Sequence, residues 1–173
     1  PQPGMTLLDV AGGTGDISFR FLEAAGGPAQ AFVCDINEKM ILVGRDRAVD
    51  RGVLSGVDWI VGDAEKLPLK SRSVDVYTIA FGLRNVTHKE DAIASMLRVL
   101  KPGGRLLVLE FSKPTNQLFS KAYDAYSFSL LPMMGKLITN DSESYRYLAE
   151  SIRMHPDQET LKGMMEAAGF ERV

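Results

Sequence analysis

"LLDVAGGTGD", Leu7 to Asp16, decides the fold. Leu7, Leu8 and Val10 read as a short buried strand, with an acid, Asp9, inside it. Gly12, Gly13 and Gly15 then fall within four positions, and Ile17, Phe19, Phe21 and Leu22 carry a helix that begins just after Gly15. The glycines therefore occupy a strand-to-helix turn, where their missing Cβ permits positive φ and close approach of a ligand to the backbone. The helix start behind them offers free N–H groups and the positive end of a dipole, which suits a nucleotide-like or carboxylate-bearing ligand. A tight turn with no ligand is the structural alternative. The dinucleotide spacing G-x-G-x-x-G does not fit. Anchored on Gly13 and Gly15 it places Ser18 at the third glycine, and anchored on Gly12 it places Thr14 at the second. No G-K-[ST] follows, so the turn is not a P-loop either.

Outward from this turn, strand and helix signals alternate. Strands are predicted over 6–10, 31–34 (closing at Asp35), 57–61, 74–80 and 105–111. Helices are predicted from about Gly15 to Ala25, and from Glu38 to Arg51 behind an Asn37 cap. A third follows a Thr87–Glu90 capping box and repeats Ile93, Met96, Leu97 and Leu100, until Lys101-Pro102-Gly103-Gly104 stops it. Such alternation predicts an α/β fold: a doubly wound, mostly parallel sheet with ligands at the carboxyl ends of its strands. After Phe111 the rhythm breaks into an insertion over about 113–153, read as a helical lid. A last amphipathic helix carries Leu161, Met164, Met165 and Ala168, with Gly169 as its C-cap, and Phe170 is read as the start of a further strand. The whole, 1–173, reads as a single domain, with terminal elements of the sheet expected to be missing.

Composition narrows the classes. A chain of 173 residues with net charge −2 and no long basic run argues against a nucleic-acid partner. The single cysteine, Cys34, has no partner for an internal disulfide and suits a reducing compartment. His88 and His155 lie far apart in sequence without ligand-like companions, so no metal is expected. No signal peptide and no run of eighteen apolar residues is present. "FSLLPMMGKLI", Phe128 to Ile138, is apolar but too short to span a bilayer. It reads either as a cover for a greasy tail or membrane surface, or as packing on the sheet.

Three strand ends supply the binding chemistry. Asp35, about twenty residues after the glycines, can accept two ribose hydroxyls. In "GDAEKLP", Gly62 to Pro68, Asp63 can accept an adenine amino group, the Ala64 N–H can meet a ring nitrogen, and Ile36 or Met40 can pack on the ring. "AFGLRNV", Ala80 to Val86, follows strand four beside the switch point. It lacks the Pro-Pro-aromatic motif of many amino-methylating enzymes. Arg84 and Asn85 instead offer donors to an oxygen-bearing substrate, unless Arg84 pairs with a surface acid.

The glycine turn resembles the first motif of class I S-adenosylmethionine methyltransferases. Taken together, "DVAGGTGD", "FGLRNVT", "RVLKPGGRLLVLEFSKP", "AYDAYSF" and "SYRYLAESIRMHPDQETLKGMMEAAGF" resemble the ubiquinone/menaquinone biosynthesis C-methyltransferase family. The resemblance implies transfer of a methyl group from S-adenosylmethionine to a ring carbon of a polyprenylated benzoquinol or demethylmenaquinol. It puts cofactor contacts on Thr14, Asp35, Asp63, Ala64 and Ala80, where bacterial members often carry serine at the position of Ala80. The glycines Gly12, Gly13 and Gly15 complete the cofactor site. Arg84 and Asn85 are expected to stabilise and position the substrate oxygen, with Asp141, Tyr145 or His155 as base or relay. Expected partners are the quinol itself, a quinone-biosynthesis complex, a peripheral membrane contact and a second copy of the chain. The expected place is the cytoplasm or the cytoplasmic face of a bacterial membrane, or else the mitochondrial matrix. Rival readings are a small-molecule O-methyltransferase of the same fold and a non-catalytic subunit of a quinone-synthesis complex.

Overall fold

The computed structural model describes residues 1–111 and 142–173, the side chains of Ser142, Ser144 and Tyr145 excepted. Residue contacts group 1–110 with 164–173 as one unit and 111–163 as another.

The first unit is built on five parallel strands: β1 (Thr6–Val10), β2 (Gln30–Asp35), β3 (Val57–Val61), β4 (Val74–Ala80) and β5 (Leu100–Leu109). Their order across the sheet is β3-β2-β1-β4-β5. Strand order reverses between β1 and β4, so the switch point, where ligands bind in such sheets, lies outside the carboxyl ends of these two strands. Register is even through most of the sheet: Leu8 sits opposite Phe32 on one side and Tyr77 on the other. The predicted α/β, doubly wound parallel sheet is the one observed.

Three helices cross between the strands: α1 (Asp16–Ala25), α2 (Glu38–Asp50) and α3 (Lys89–Val99). α1 buries Ser18, Phe19, Phe21 and Ala25, the 3–4 spacing that puts one stripe on the sheet. α3 buries Ala92, Ile93, Met96 and Val99 completely. Each fully buried large apolar side chain contributes about 1.5–3 kcal/mol. Asn37 caps α2 as predicted, its side chain accepting the Lys39 N–H at 3.1 Å.

Two local readings are corrected. The predicted Thr87–Glu90 capping box does not form. The cap position of α3 is His88, without a side-chain cap bond. The Thr87 and His88 amides donate instead to Glu65 Oε1, at 3.1 and 2.9 Å. The "KPGG" turn is a bulge inside β5: Leu100 pairs Val74 and Arg105 pairs Val76, so 101–104 loop out against Asp75. Lys101 Nζ closes the loop on the Asp75 carboxylate at 2.8 Å.

In the second unit α4 (Ser142–Met154) occupies part of the expected insertion; the rest of it, 113–141, lies outside the described residues. α5 (Gln158–Ala168) runs from one unit into the other. The Asp157 carboxylate accepts the Thr160 N–H at its start. At its end Gly169, at φ +107, lets Phe170 N–H reach Met165 O. Phe170 begins no strand. Among the described residues no helix is long and apolar enough to cross a membrane.

Candidate functional site

The glycine turn leaves β1 at the switch point. Gly15, at φ +83, is the N-cap of α1, and its N–H closes the turn on Gly12 O at 2.9 Å. Gly12 has no room for a side chain: a Cβ would stand 2.8 Å from Asp9 O and 3.0 Å from Asp9 Oδ2. The turn is tied to the end of β2 as well. Gly13 N–H donates to Asp35 Oδ2 at 2.9 Å, and Asn37 N–H donates to Asp35 Oδ1 at 2.8 Å. One carboxylate thus clamps two loops. Each of its oxygens can accept a second hydrogen bond, which is what a vicinal diol requires.

The other cofactor candidates gather at the same edge. Gly62 N–H donates to Asp35 O, bringing the end of β3 alongside. Asp63 caps the short 3-10 turn Ala64–Lys66 by accepting Glu65 N–H at 2.9 Å. Ile36 is 74 % exposed and Met40 is also exposed. An apolar side chain so open beside a diol acceptor is a surface on which a flat ring can lie. Ala80 ends β4, half-buried and opposite Leu109. Thr14 is engaged elsewhere: its hydroxyl donates to Asp16 Oδ2 and accepts from Arg47, which also forks onto both Asp16 oxygens. Those contacts hold the Asp16 carboxyl below its usual range.

Asp9, which the sequence reading noted only as an acid inside the first strand, lies under the turn. It is 1 % exposed and accepts Thr78 Oγ1 at 2.7 Å and Ser18 Oγ at 3.3 Å. Burial outweighs those bonds and pushes its pKa up to about 6. The signal was available, since an acid inside a wholly buried strand is either satisfied or functional. Cys34, also buried, has its thiol pushed up to about 12 by desolvation and the nearby Asp35, which removes it as a nucleophile at neutral pH.

The residues expected to meet the substrate lie at the exit of β4. Phe81 takes φ +56, a left-handed conformation rare for an aromatic residue, and its N–H donates to Leu109 O. Arg84 and Asn85 lie on the 3-10 turn Leu83–Asn85, with Asn85 exposed. Arg84 does pair with an acid, but not a surface one. Its Nη1 donates to Glu110 Oε2 at 3.1 Å, with the two side chains only 12 % and 5 % exposed. Glu110 was missed because, at the end of the apolar run of β5, it stood inside the stretch quoted for the resemblance without any chemistry being assigned to it. Asp141 and the Tyr145 side chain lie outside the described residues. His155 is buried after the end of α4, in the second unit.

His88 does have acidic companions, contrary to the sequence reading. Glu65, His88 and Asp91 bring possible ligand atoms within 4.8 Å of one another. A hydrogen bond accounts for the Glu65–His88 pair: His88 Nδ1 lies 2.9 Å from Glu65 Oε2, which raises the imidazole pKa. The His88 amide in turn lowers that of Glu65. Acids at a helix start are also favoured by the dipole, which opposes a cation there.

Comparison with known proteins converges on one family. Residues 1–173 match the model of the ubiE/COQ5 methyltransferase family. The chain is 75% identical over 170 residues to the ubiquinone/menaquinone biosynthesis C-methyltransferase UbiE of Stutzerimonas stutzeri, covering 98% of this chain and 66% of that protein. It is 68% identical over 172 residues to the protein of the same name from Pseudomonas entomophila, covering 99% and 67%. It thus spans about two thirds of the length of these relatives. Among solved structures, a SAM-dependent methyltransferase from Aquifex aeolicus superposes with a TM-score of 0.69 at 19% identity, over 98% of this chain and 74% of that one. A phosphoethanolamine N-methyltransferase of Haemonchus contortus, in complex with S-adenosyl-L-methionine, gives 0.72 at 16%, over 99% and 34%. These two show the fold. Matched from Pro1 to Val173, the chain belongs to the ubiE/COQ5 methyltransferase family.

Proposed function

We propose that this chain carries the S-adenosylmethionine site and the methyl-transfer site of a C-methyltransferase acting on a prenylated quinol. The ring is a benzoquinol or a demethylmenaquinol. The observation that carries the reading is 75% identity over nearly the whole chain to a protein named for that activity. The residues present fit the cofactor. Asp35, held by two backbone amides, presents acceptors for a ribose diol, and the open Ile36 and Met40 side chains offer a face to adenine. Asp63 and the Ala64 N–H supply polar contacts at that face. The close approach of Gly12 to Asp9 leaves the turn backbone bare for the methionine portion.

When bound, S-adenosylmethionine supplies a methyl group made electrophilic by its sulfonium. The protein's own task is to make a ring carbon nucleophilic and to aim it. A quinone carbon is electrophilic, so the substrate is the reduced ring. A quinol hydroxyl that gives up its proton pushes electron density onto the neighbouring carbon. With the cofactor in place, that carbon would form a C–C bond to the methyl as the methyl–sulfur bond breaks and S-adenosylhomocysteine leaves, and would then lose its ring hydrogen as a proton. As a guanidinium, Arg84 serves the phenolate oxygen as a charged donor and not as the base. Asn85, exposed on the same turn, positions that oxygen.

A polyprenyl tail resides in the bilayer, and both relatives named above are bacterial. We therefore propose work at the cytoplasmic face of the membrane, with peripheral contact. A second copy of the chain and a quinone-biosynthesis complex are further proposals that rest on the family resemblance. The test is full-length protein with S-adenosylmethionine and a prenylated quinol, kept reduced or kept oxidised. Methyl on a ring carbon, with turnover only for the reduced ring, is the expected result. A methylated oxygen overturns the reading.

A further inference from the structure

We propose that Glu110 is a positioning residue for methyl transfer, fixing the direction in which Arg84 meets the substrate oxygen. This rests on the reading of Arg84 given above. Glu110 follows β5, next to the exit of β4, and it holds Arg84 at both ends. Its Oε1 accepts the Arg84 backbone N–H at 3.1 Å and its Oε2 accepts Nη1–H at 3.1 Å. Anchored at backbone and tip, the side chain is bent back onto its own turn. Surface ion pairs are screened and entropically loose. This one is almost entirely buried. A buried ion pair is a poor way to gain stability compared with apolar packing, so its retention points to orientation as its use.

The surroundings agree. The Arg84 guanidinium carbon lies 5.8 Å from the centre of the Phe81 ring, which is 41 % exposed. Phe81 at φ +56 and Ala11 at φ +51 are the residues directly after β4 and β1. Gly82 seats the two exits on each other: a Cβ there would fall 2.3 Å from Ala11 Cβ. Backbone strain at matching strand exits, beside the switch point, is the kind of outlier that marks a functional constraint. Three exits, those of β1, β4 and β5, therefore converge to fix one guanidinium beside one open aromatic face. A planar quinol ring on Phe81 would present its oxygen to a donor fork of set direction.

The experiment is a double-mutant cycle in the full-length protein with reduced prenylated quinol and saturating S-adenosylmethionine. Glu110→Gln keeps the volume but can match only one of the two Arg84 donors. It should lower kcat roughly 10- to 100-fold, the effect of a small misplacement near the reacting atoms. S-adenosylmethionine affinity by calorimetry should stay within about twofold, which a general loosening of the fold would not allow. Combined with Arg84→Ala, it should add nothing to the loss from Arg84→Ala alone. Should Glu110→Gln fail to fold, Glu110→Asp, which keeps the charge and shortens the reach, should give a smaller kcat loss at unchanged cofactor affinity. Wild-type kcat in the folded Glu110 variant beside a slow Arg84→Ala overturns this proposal and leaves the reading of Arg84 standing. Additive losses overturn it too. A normal rate for Arg84→Ala overturns both.

Discussion

Replacing Asp9 with Asn should make the fold stronger at neutral pH and leave it unimproved in acid. Burial lifts the Asp9 pKa from 3.8 to about 6, against the lowering effect of the Thr78 and Ser18 hydroxyls. For a group raised in the folded state, the stabilisation is complete below the unfolded value and is lost as pH climbs through the folded one. Between those two values the unfolded chain has shed a proton that the native chain still holds, so unfolding free energy falls by about 1.4 kcal/mol per pH unit. A displacement of about two units makes ionised Asp9 about 3 kcal/mol unfavourable at pH 7. Asparagine matches the shape without the charge. One of the two hydroxyls must turn round to accept from the amide, at about 1 kcal/mol, which leaves a net gain of about 2 kcal/mol. The assay is urea unfolding from pH 4 to 7.5, followed by the fluorescence of Trp59, the chain's single tryptophan. Taking Asp9→Asn minus wild type cancels the depressed Asp16, Glu65 and Asp75 and the raised His88. A difference constant across pH, or a variant weaker at pH 7.5, refutes the reasoning. So costly a charge is kept for use, so the stabilised variant should also bind S-adenosylmethionine less tightly.

Asp35→Ala should weaken S-adenosylmethionine binding roughly ten- to a hundredfold, from the loss of about 1.5–3 kcal/mol of charge-assisted bonding, and unchanged affinity in calorimetry would remove the ribose assignment. Gly44→Ala should lower the melting temperature although it sits inside α2. The helix gains about 1 kcal/mol of propensity, but overpacking against the half-buried Trp59 ring costs about 1–3 kcal/mol. A Cβ at Gly44 would stand 2.3 Å from Trp59 Cζ3, so the tryptophan emission should shift as well, and a raised melting temperature would contradict the packing argument.

Elements governed by nearby residues were legible from the sequence. β1, β3 and β4 begin and end where apolar alternation and turn residues place them, and Asn37 caps α2 because an Asx side chain needs only the amide two residues on. The same local reasoning failed where a distant group competes for the same donors. Thr87-x-x-Glu90 has the form of a capping box, yet Glu65, more than twenty residues upstream, takes those amides. It thereby fastens the turn that carries Asp63 and Ala64 to the start of α3. Thr14, expected as a cofactor contact from the family resemblance, is reached at its hydroxyl by Arg47 from α2, a contact nothing local foretold.

The two acids that sequence reasoning left out, Asp9 and Glu110, share a physical explanation. Both stand at the carboxyl ends of strands, where a side chain faces packed sheet on one side and the ligand edge on the other. Neither has a metal-like spacing to announce it, and of their partners Thr78 lies 69 residues from Asp9 and Arg84 lies 26 from Glu110, although Ser18 of α1 also reaches Asp9. Each is nearly buried, and a buried carboxylate must be compensated by donors or serve some other end. Asp9 is compensated incompletely, as its raised pKa shows, whereas Glu110 meets both a backbone amide and a guanidinium. The under-compensated acid therefore lies beneath the turn proposed to take the cofactor, where a further positive group would relieve it. The engaged acid lies behind Arg84, the arginine proposed to face the substrate, where direction matters more than charge.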